Sequence, residues 1–285
     1  MISTLTGTEV FSKLFIRFNT TTYKKMFNRN NTYYVEQNFF ALCRYWGMNM
    51  NSLFLHQSIG AMSIGVDEAD VNWAWNEKPL NKKSVEILDA IKCFYRKLKK
   101  PFWWWVYPCG QAITTKHVLQ DAGFKQIQKM SCMALASTSL ANFFSSSKSI
   151  KVRNVTNEKE RLLWEKTCFA GFEMSQRTKK QFHSFVSNFD LSEKSPQKLF
   201  LAYCDNIPVT TSLLFINQNT AGIYYVSTIP SHRRRGYCSA LIQEILREAL
   251  VLGISNIVLQ ATPQGRGVYQ KAGFVEVAKA DIYVI

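Results

Sequence analysis

Residues 221 to 241, AGIYYVSTIPSHRRRGYCSAL, hold the residue types best suited to binding an anion. Arg233, Arg234 and Arg235 stand directly before Gly236, and the small residues Cys238 and Ser239 lie just beyond. Gly222 to Thr228 is rich in β-branched and aromatic residues and predicts a strand, which Ile229 and Pro230 stop. From Ala240 the apolar spacing of Leu241, Ile242, Ile245, Leu246, Ala249 and Leu250 predicts a helix, with Gly253 as its C-terminal stop. A helix start leaves backbone N–H groups unpaired and carries partial positive charge. A glycine just before it lets a phosphate approach the backbone closely. The stretch reads as a pyrophosphate-binding loop or, alternatively, as a basic solvated loop with a glycine cap.

The stretch resembles the acetyl-coenzyme A loop of the GNAT N-acetyltransferase superfamily. That pattern is Arg or Gln, two residues, Gly, one residue, then Gly or Ala. Here it reads Arg233, Arg234–Arg235, Gly236, Tyr237, Cys238. Cysteine replaces glycine or alanine at the last position, which implies a tighter loop around a retained site. A second match lies downstream. The apolar segment NIVLQA at 256–261 leads to GRGVYQKAGF at 265–274, and the family pattern of Tyr, three residues, Gly-Phe falls on Tyr269, Gly273 and Phe274. The resemblance covers residues 150 to 285. It implies acetyl-coenzyme A as co-substrate, held by backbone N–H groups from Arg234 through Ser239, with Val226 and Thr228 lending backbone groups to the pantetheine arm. It also implies Tyr269 as the general acid for the departing thiolate. The alternative for Tyr269 is a ring packed in the core. Proton donation between the two groups is reasonable, since a thiol titrates near ~8.5 and tyrosine near ~10.

The 285 residues, 47% hydrophobic, suffice for one large or two ordinary domains. Seven cysteines without paired spacing point to a reducing, cytoplasmic compartment. No CxxC pair or His-x-x-x-His cluster points to a metal. Residues 1–20 lack the continuous apolar core of a secretory signal, and the apolar runs are too short for a membrane span. The net charge of +15 admits nucleic acid, an anionic surface or mere solubility. No nucleic-acid-binding signature accompanies it, so no nucleic-acid partner is expected.

Taken in order, FSKLFIRF at 11–18 reads as a strand or short helix, Asn28–Asn31 as a turn, residues 35–46 as a helix and 52–66 as a pair of strands. Val85, Leu88, Ile91, Tyr95 and Leu98 mark a helix that Pro101 ends. PFWWWVY at 101–107 predicts a strand, residues 114–122 a helix, and Gly123–Phe124 leads a strand to Leu135. This order repeats in the second half, with Gly123–Phe124 aligned to Gly273–Phe274. At the position of Tyr269 the first half has Leu119, and ahead of its helix NEKPLNKKS holds no glycine loop. The tryptophans at 103–105 are expected to pack in the core, since alternate strand residues face opposite sides.

The expected fold is therefore α/β, with two GNAT-like domains, each a mixed, largely antiparallel twisted sheet flanked by helices. Residues 1–138 form a degenerate copy, 139–150 a linker, and 151–285 a catalytic domain. Strands are expected at 151–155 and three times between 198 and 226, with a helix over 158–169 capped by Asn157 or Thr156. The resemblance implies acetyl transfer to an amine by direct attack. The alternative is a coenzyme-binding or regulatory protein without turnover. Glu173 and His183 lie where the family builds its acceptor site and read as substrate contacts or as surface residues. The glutamate that many relatives carry on the coenzyme strand is missing between Ala221 and Ile229, so the base is unassigned.

Overall fold

The computed structural model describes residues 20–136 and 150–285. The segment 11–18 and the linker read over 139–149 lie outside these residues. Helix α1 spans Thr20–Asn49. Strands β1 (Leu53–His56), β2 (Ile59–Ser63) and β3 (Asn72–Asn76) follow, then α2 (Val85–Leu98), β4 (Trp103–Val106), α3 (Ile113–Asp121) and β5 (Lys125–Ala136). The second half runs β6 (Lys151–Asn154), α4 (Glu158–Gly171), α5 (Lys179–Ser187), β7 (Gln197–Cys204), β8 (Ile207–Asn217) and β9 (Thr220–Thr228). It ends with α6 (Tyr237–Val251), β10 (Asn256–Ala261), α7 (Arg266–Lys271) and β11 (Val275–Val284). The helix α4 starts at Asn157, whose side chain accepts from the Glu160 N–H.

The strands form one sheet in the order β1-β2-β3-β4-β11-β5-β10-β9-β8-β7-β6. Only β3–β4 and β9–β10 pair in parallel. Each half is a mixed, largely antiparallel unit, but the halves exchange their final strands. β11 pairs with β4 of the first half, and β5 pairs with β10 of the second. The two exchanged strands also run antiparallel against each other, from Val275 opposite Ala134 to Val284 opposite Lys125. Both follow the same turn. Phe124 N–H donates to Leu119 O and Phe274 N–H to Tyr269 O, over glycines at φ 91° and 87°. Only glycine holds that left-handed backbone without strain. The shared geometry supports aligning Leu119 with Tyr269.

Side chains alternate between the faces of the sheet, as a pleat requires. One face packs on α1, α4 and α5, with Phe39, Trp46, Trp105, Trp164 and Phe185 in its core. The other packs on α6 in the second half, through Leu241, Ile245 and Ala249, and on α2 and α3 in the first, through Leu88, Ile91 and Leu119. Trp104 points to one side and Trp105 to the other, both buried in core.

Two readings change. Asn28–Asn31 is helix, not turn. Asn31 is buried, and the Thr32 hydroxyl lies 3.4 Å from the Val277 carbonyl on β11, so packing overrides the turn preference of the asparagines. β3 was not foreseen, because asparagine is a poor strand former. Both Asn72 and Asn76 are fully buried and spend their amides on loop carbonyls: Asn72 on Val66, Glu68 and Pro101, Asn76 on Lys78 and Gly110.

α1 fastens both halves. Its buried Glu36 accepts from the Cys109 N–H after β4, and burial raises that carboxyl above the usual range. Asn38 donates to the carbonyls of Phe215 and Thr220 and accepts from the Tyr224 hydroxyl at 2.8 Å. Gly222 makes room for this: a Cβ there would lie 2.0 Å from Asn38 Oδ1. Asn38→Ala would leave two carbonyls and a hydroxyl without that partner, far from water. We expect a loss of about 2–4 kcal/mol in urea unfolding. A change under about 0.5 kcal/mol would show that the network contributes nothing.

Candidate active site

The parallel pairing of β9 and β10 runs only from Thr220–Asn256 to Ile223–Leu259. Beyond Ile223 the strands part. A bulge drives the separation. Between Thr211 and Leu213 of β8, β9 carries an extra residue, and Tyr225 sits at φ 50°. Such backbone costs roughly 1 kcal/mol or more for a bulky residue and is held by its surroundings. Here the Thr211 hydroxyl donates to Tyr225 O and the Ser212 hydroxyl to Tyr224 O. Ile229 N–H returns to Val209 O, so the backbone groups of Thr228 face away from β8 while its hydroxyl stays on that of Thr210. By the two-residue period, the backbone groups of Val226 and Thr228 point into the opening.

The opening is a cleft of about 250 Å³. Tyr224, Val226 and Ile223 line one side, Gln260, Thr262 and Gly265 the other. Phe39, Trp73, Trp105 and Met130 close its floor from the first half. Cys238 and Tyr269 stand at its wall. The Tyr269 ring is 8% exposed and packs edge-on against Phe274. Among the described residues its hydroxyl has no hydrogen-bond partner, and burial raises its pKa well above the usual value. It therefore keeps its proton and remains a donor. Burial likewise pushes the Cys238 thiol up to about 11, which leaves little thiolate for nucleophilic attack.

Just past the end of β9, a short 3₁₀ turn at Pro230–His232 leads into the loop. Arg234 takes φ 61° and Gly236 φ 92°. A Cβ on Gly236 would meet nothing within 4 Å, so open space lies over the turn. The helix begins at Tyr237, three residues earlier than the apolar pattern shows, and its first bond is Ala240 N–H to Gly236 O. The N–H groups of Tyr237, Cys238 and Ser239 thus have no carbonyl of their own helix to bond. Arg234 and Arg235 are exposed and have no ion-pair partner among the described residues. Gly236, Tyr237, Cys238 and Ser239 together fit a pyrophosphate at a helix start.

Arg233 differs from the rest of the loop. Its guanidinium donates to Thr228 O, Gly171 O and the Glu173 carboxylate at 2.8–3.0 Å. It ties the end of β9 to α4. Thr228 has its carbonyl occupied by this tie and offers its N–H. His183 pairs with Glu165 at 2.9 Å and lies outside the cleft. Glu173 borders a second cavity of about 310 Å³, which shares Trp73, Phe172, Tyr224 and Tyr225 with the first. Its remaining lining includes Glu68, Asp70, Val71 and Met174. The first-half residues here escaped sequence reading, because nothing local in 66–73 marks them as neighbours of β9. Among the described residues the first half shows no such opening: β3 and β4 stay paired from Trp73–Trp103 to Asn76–Val106, the last residue of each strand.

Residues 161–274 match the acetyltransferase (GNAT) family. They run from the first turn of α4 to Phe274 and are a GNAT domain. The fold of nearly the whole chain is shared with solved structures. A GCN5-related N-acetyltransferase from Kribbella flavida superposes with a TM-score of 0.66 at 15% identity, over 87% of this chain and 94% of that one. One from Sphaerobacter thermophilus gives 0.56 at 12% identity, over 80% and 76%. A tandem GNAT protein from the clavulanic acid biosynthesis pathway gives 0.52 at 9% identity, over 80% and 78%. No curated protein matches the chain in sequence. The chain is thus a GNAT-fold protein of tandem build. Among the described residues, no helix is long and apolar enough to cross a membrane.

Two outcomes check this geometry. Gly236→Glu should abolish acetyl-coenzyme A binding in calorimetry, because the side chain would project a negative charge into the open space above the turn. Wild-type affinity in a folded variant would remove the loop from the site. Cys238 should react with iodoacetamide far more slowly than free cysteine at pH 8 and speed up as the pH nears about 11. The sign follows from burial, which holds the proton on the folded thiol past the ~8.5 of a free one. Peptide mass spectrometry reads the rate, and a free-cysteine rate at pH 8 would refute it.

Proposed function

We propose that the protein transfers an acetyl group from acetyl-coenzyme A to an amine, in the cleft between β9 and β10. The observation that carries this reading is the unpartnered Tyr269 hydroxyl in a cleft that ends at an anion-ready helix start. Acetyl-coenzyme A supplies an activated thioester. The N–H groups of Arg234 through Ser239 bind the pyrophosphate, and Arg234 and Arg235 add positive charge. The N–H groups of Val226 and Thr228 hold the extended arm as a missing strand would be held. The amine arrives neutral and attacks the thioester carbonyl. The new C–N bond forms, the C–S bond breaks, and Tyr269 gives its proton to the departing sulfur. The amine's surplus proton leaves to water. Residues 151–285 carry these groups, and residues 1–138 act as a copy without a coenzyme site: Leu119 replaces the tyrosine, β3 and β4 do not part, and no glycine loop follows β3.

The distinguishing variant is Tyr269→Phe. It deletes one hydroxyl and keeps the ring against Phe274. Turnover, read as thiol release over a panel of amines, should fall roughly 10²-fold, at the low end for general acid catalysis because a thiolate leaves readily. The loss should sit in kcat, with coenzyme affinity nearly unchanged. An unchanged kcat in the folded variant would remove Tyr269 from the chemistry. Coenzyme binding without thiol release from any amine would favour the non-catalytic alternative.

A further inference from the structure

The protein carries a net charge of +15, yet the cavity beyond Tyr225 is acidic. Glu68, Asp70 and Glu173 line it, and no lysine or arginine does. Glu173 is paired to Arg233, but Glu68 and Asp70 have no ion-pair partner among the described residues. Both come from the short segment between β2 and β3, where Asn72 holds the Glu68 carbonyl and the Trp73 indole the Asp70 carbonyl. The walls between these carboxylates and the coenzyme cleft are aromatic: Trp73, Phe172, Tyr224 and Tyr225. The Tyr225 ring is fixed beside the cavity by edge-on packing against Phe172 and by Phe182.

We infer that this cavity selects the acceptor, and that the acceptor is a small amine carrying a second positive charge, held by Glu68 and Asp70 of the first half. The inference rests on reading the adjoining cleft as an N-acetyltransferase site. The two ends of such a molecule need opposite protonation states. One end stays an ammonium between the carboxylates and over the aromatic faces, where cations are favoured. The other passes Tyr225 and Phe172 toward the cleft and attacks as the free amine. The half that cannot bind coenzyme thereby has a task, which is to read the far end of the substrate.

The test compares α,ω-diamines of increasing length with monoamines of equal length, against the whole protein. Calorimetry without coenzyme measures binding alone. The best diamine should bind about tenfold or more tightly than its monoamine, as a charge-assisted contact implies, and the advantage should shrink as salt rises. Glu68→Gln with Asp70→Asn should erase most of that advantage. The single variants and thermal melts confirm that folding is kept. Equal affinity for both amine series, or a diamine advantage that survives the double variant, would overturn the proposal. With acetyl-coenzyme A added, equal thiol release from monoamines and diamines would also overturn it while leaving acetyl transfer intact. Diamine binding without any thiol release would sink acetyl transfer and leave the cation site standing.

Discussion

The proposed site depends on β9 and β10 letting go of each other after Ile223 and Leu259. Two parallel strands that stayed paired would hide the backbone groups of Val226 and Thr228 and leave no route between sheet and helix. The bulge at Tyr225 is what separates them. Its positive φ is unfavourable for a tyrosine, and two hydroxyls from β8 hold it in place. The same twist turns the Tyr225 ring between the two cavities. The cleft and the bend that separates it from the acidic cavity therefore have one cause.

The two halves show what the opening requires by comparison. They share a helix-to-strand turn with the same hydrogen bonds and the same glycine conformation. They differ where chemistry would need them alike. Leu119 is packed in the core at the position of Tyr269, and β3 stays paired to β4 to the end of both strands. The first half has kept the frame and filled its would-be cleft. Its buried aromatics, Trp73 and Trp105 above all, floor the cleft of the second half instead.

Local signals made much of this legible. The Arg-rich loop before Gly236, the tyrosine four residues before Gly273 and the turns at Asp205–Asn206 and Asn217–Gln218–Asn219 are all set by nearest neighbours, and Asp205, Asn206 and Gln218 take the left-handed backbone that suits asparagine-rich turns. Readings failed where distant partners decide. Asn28–Asn31 is helical because α1 packs across both halves. Asn72 and Asn76 sit in a buried strand with their amides satisfied by loop carbonyls, of which Pro101 and Gly110 lie far along the chain. That Arg233 also reaches Gly171 and Glu173 shows only in the fold. The exchange of β5 and β11 leaves no local trace, since each strand carries the same alternation whichever neighbour it pairs with.

That exchange sets an order on synthesis. β4 and β5 emerge early, but the strand that lies between them is β11, about 150 residues later. At roughly 5–20 residues per second, the first half waits on the order of ten seconds or more on the ribosome for its missing strand. Until β10 and β11 emerge, the inner edge of β4 and both edges of β5 stand open, and open edges invite pairing with other chains. The nascent chain thus has a window in which a chaperone, or slower dilution from its neighbours, decides whether β11 of the same chain arrives first.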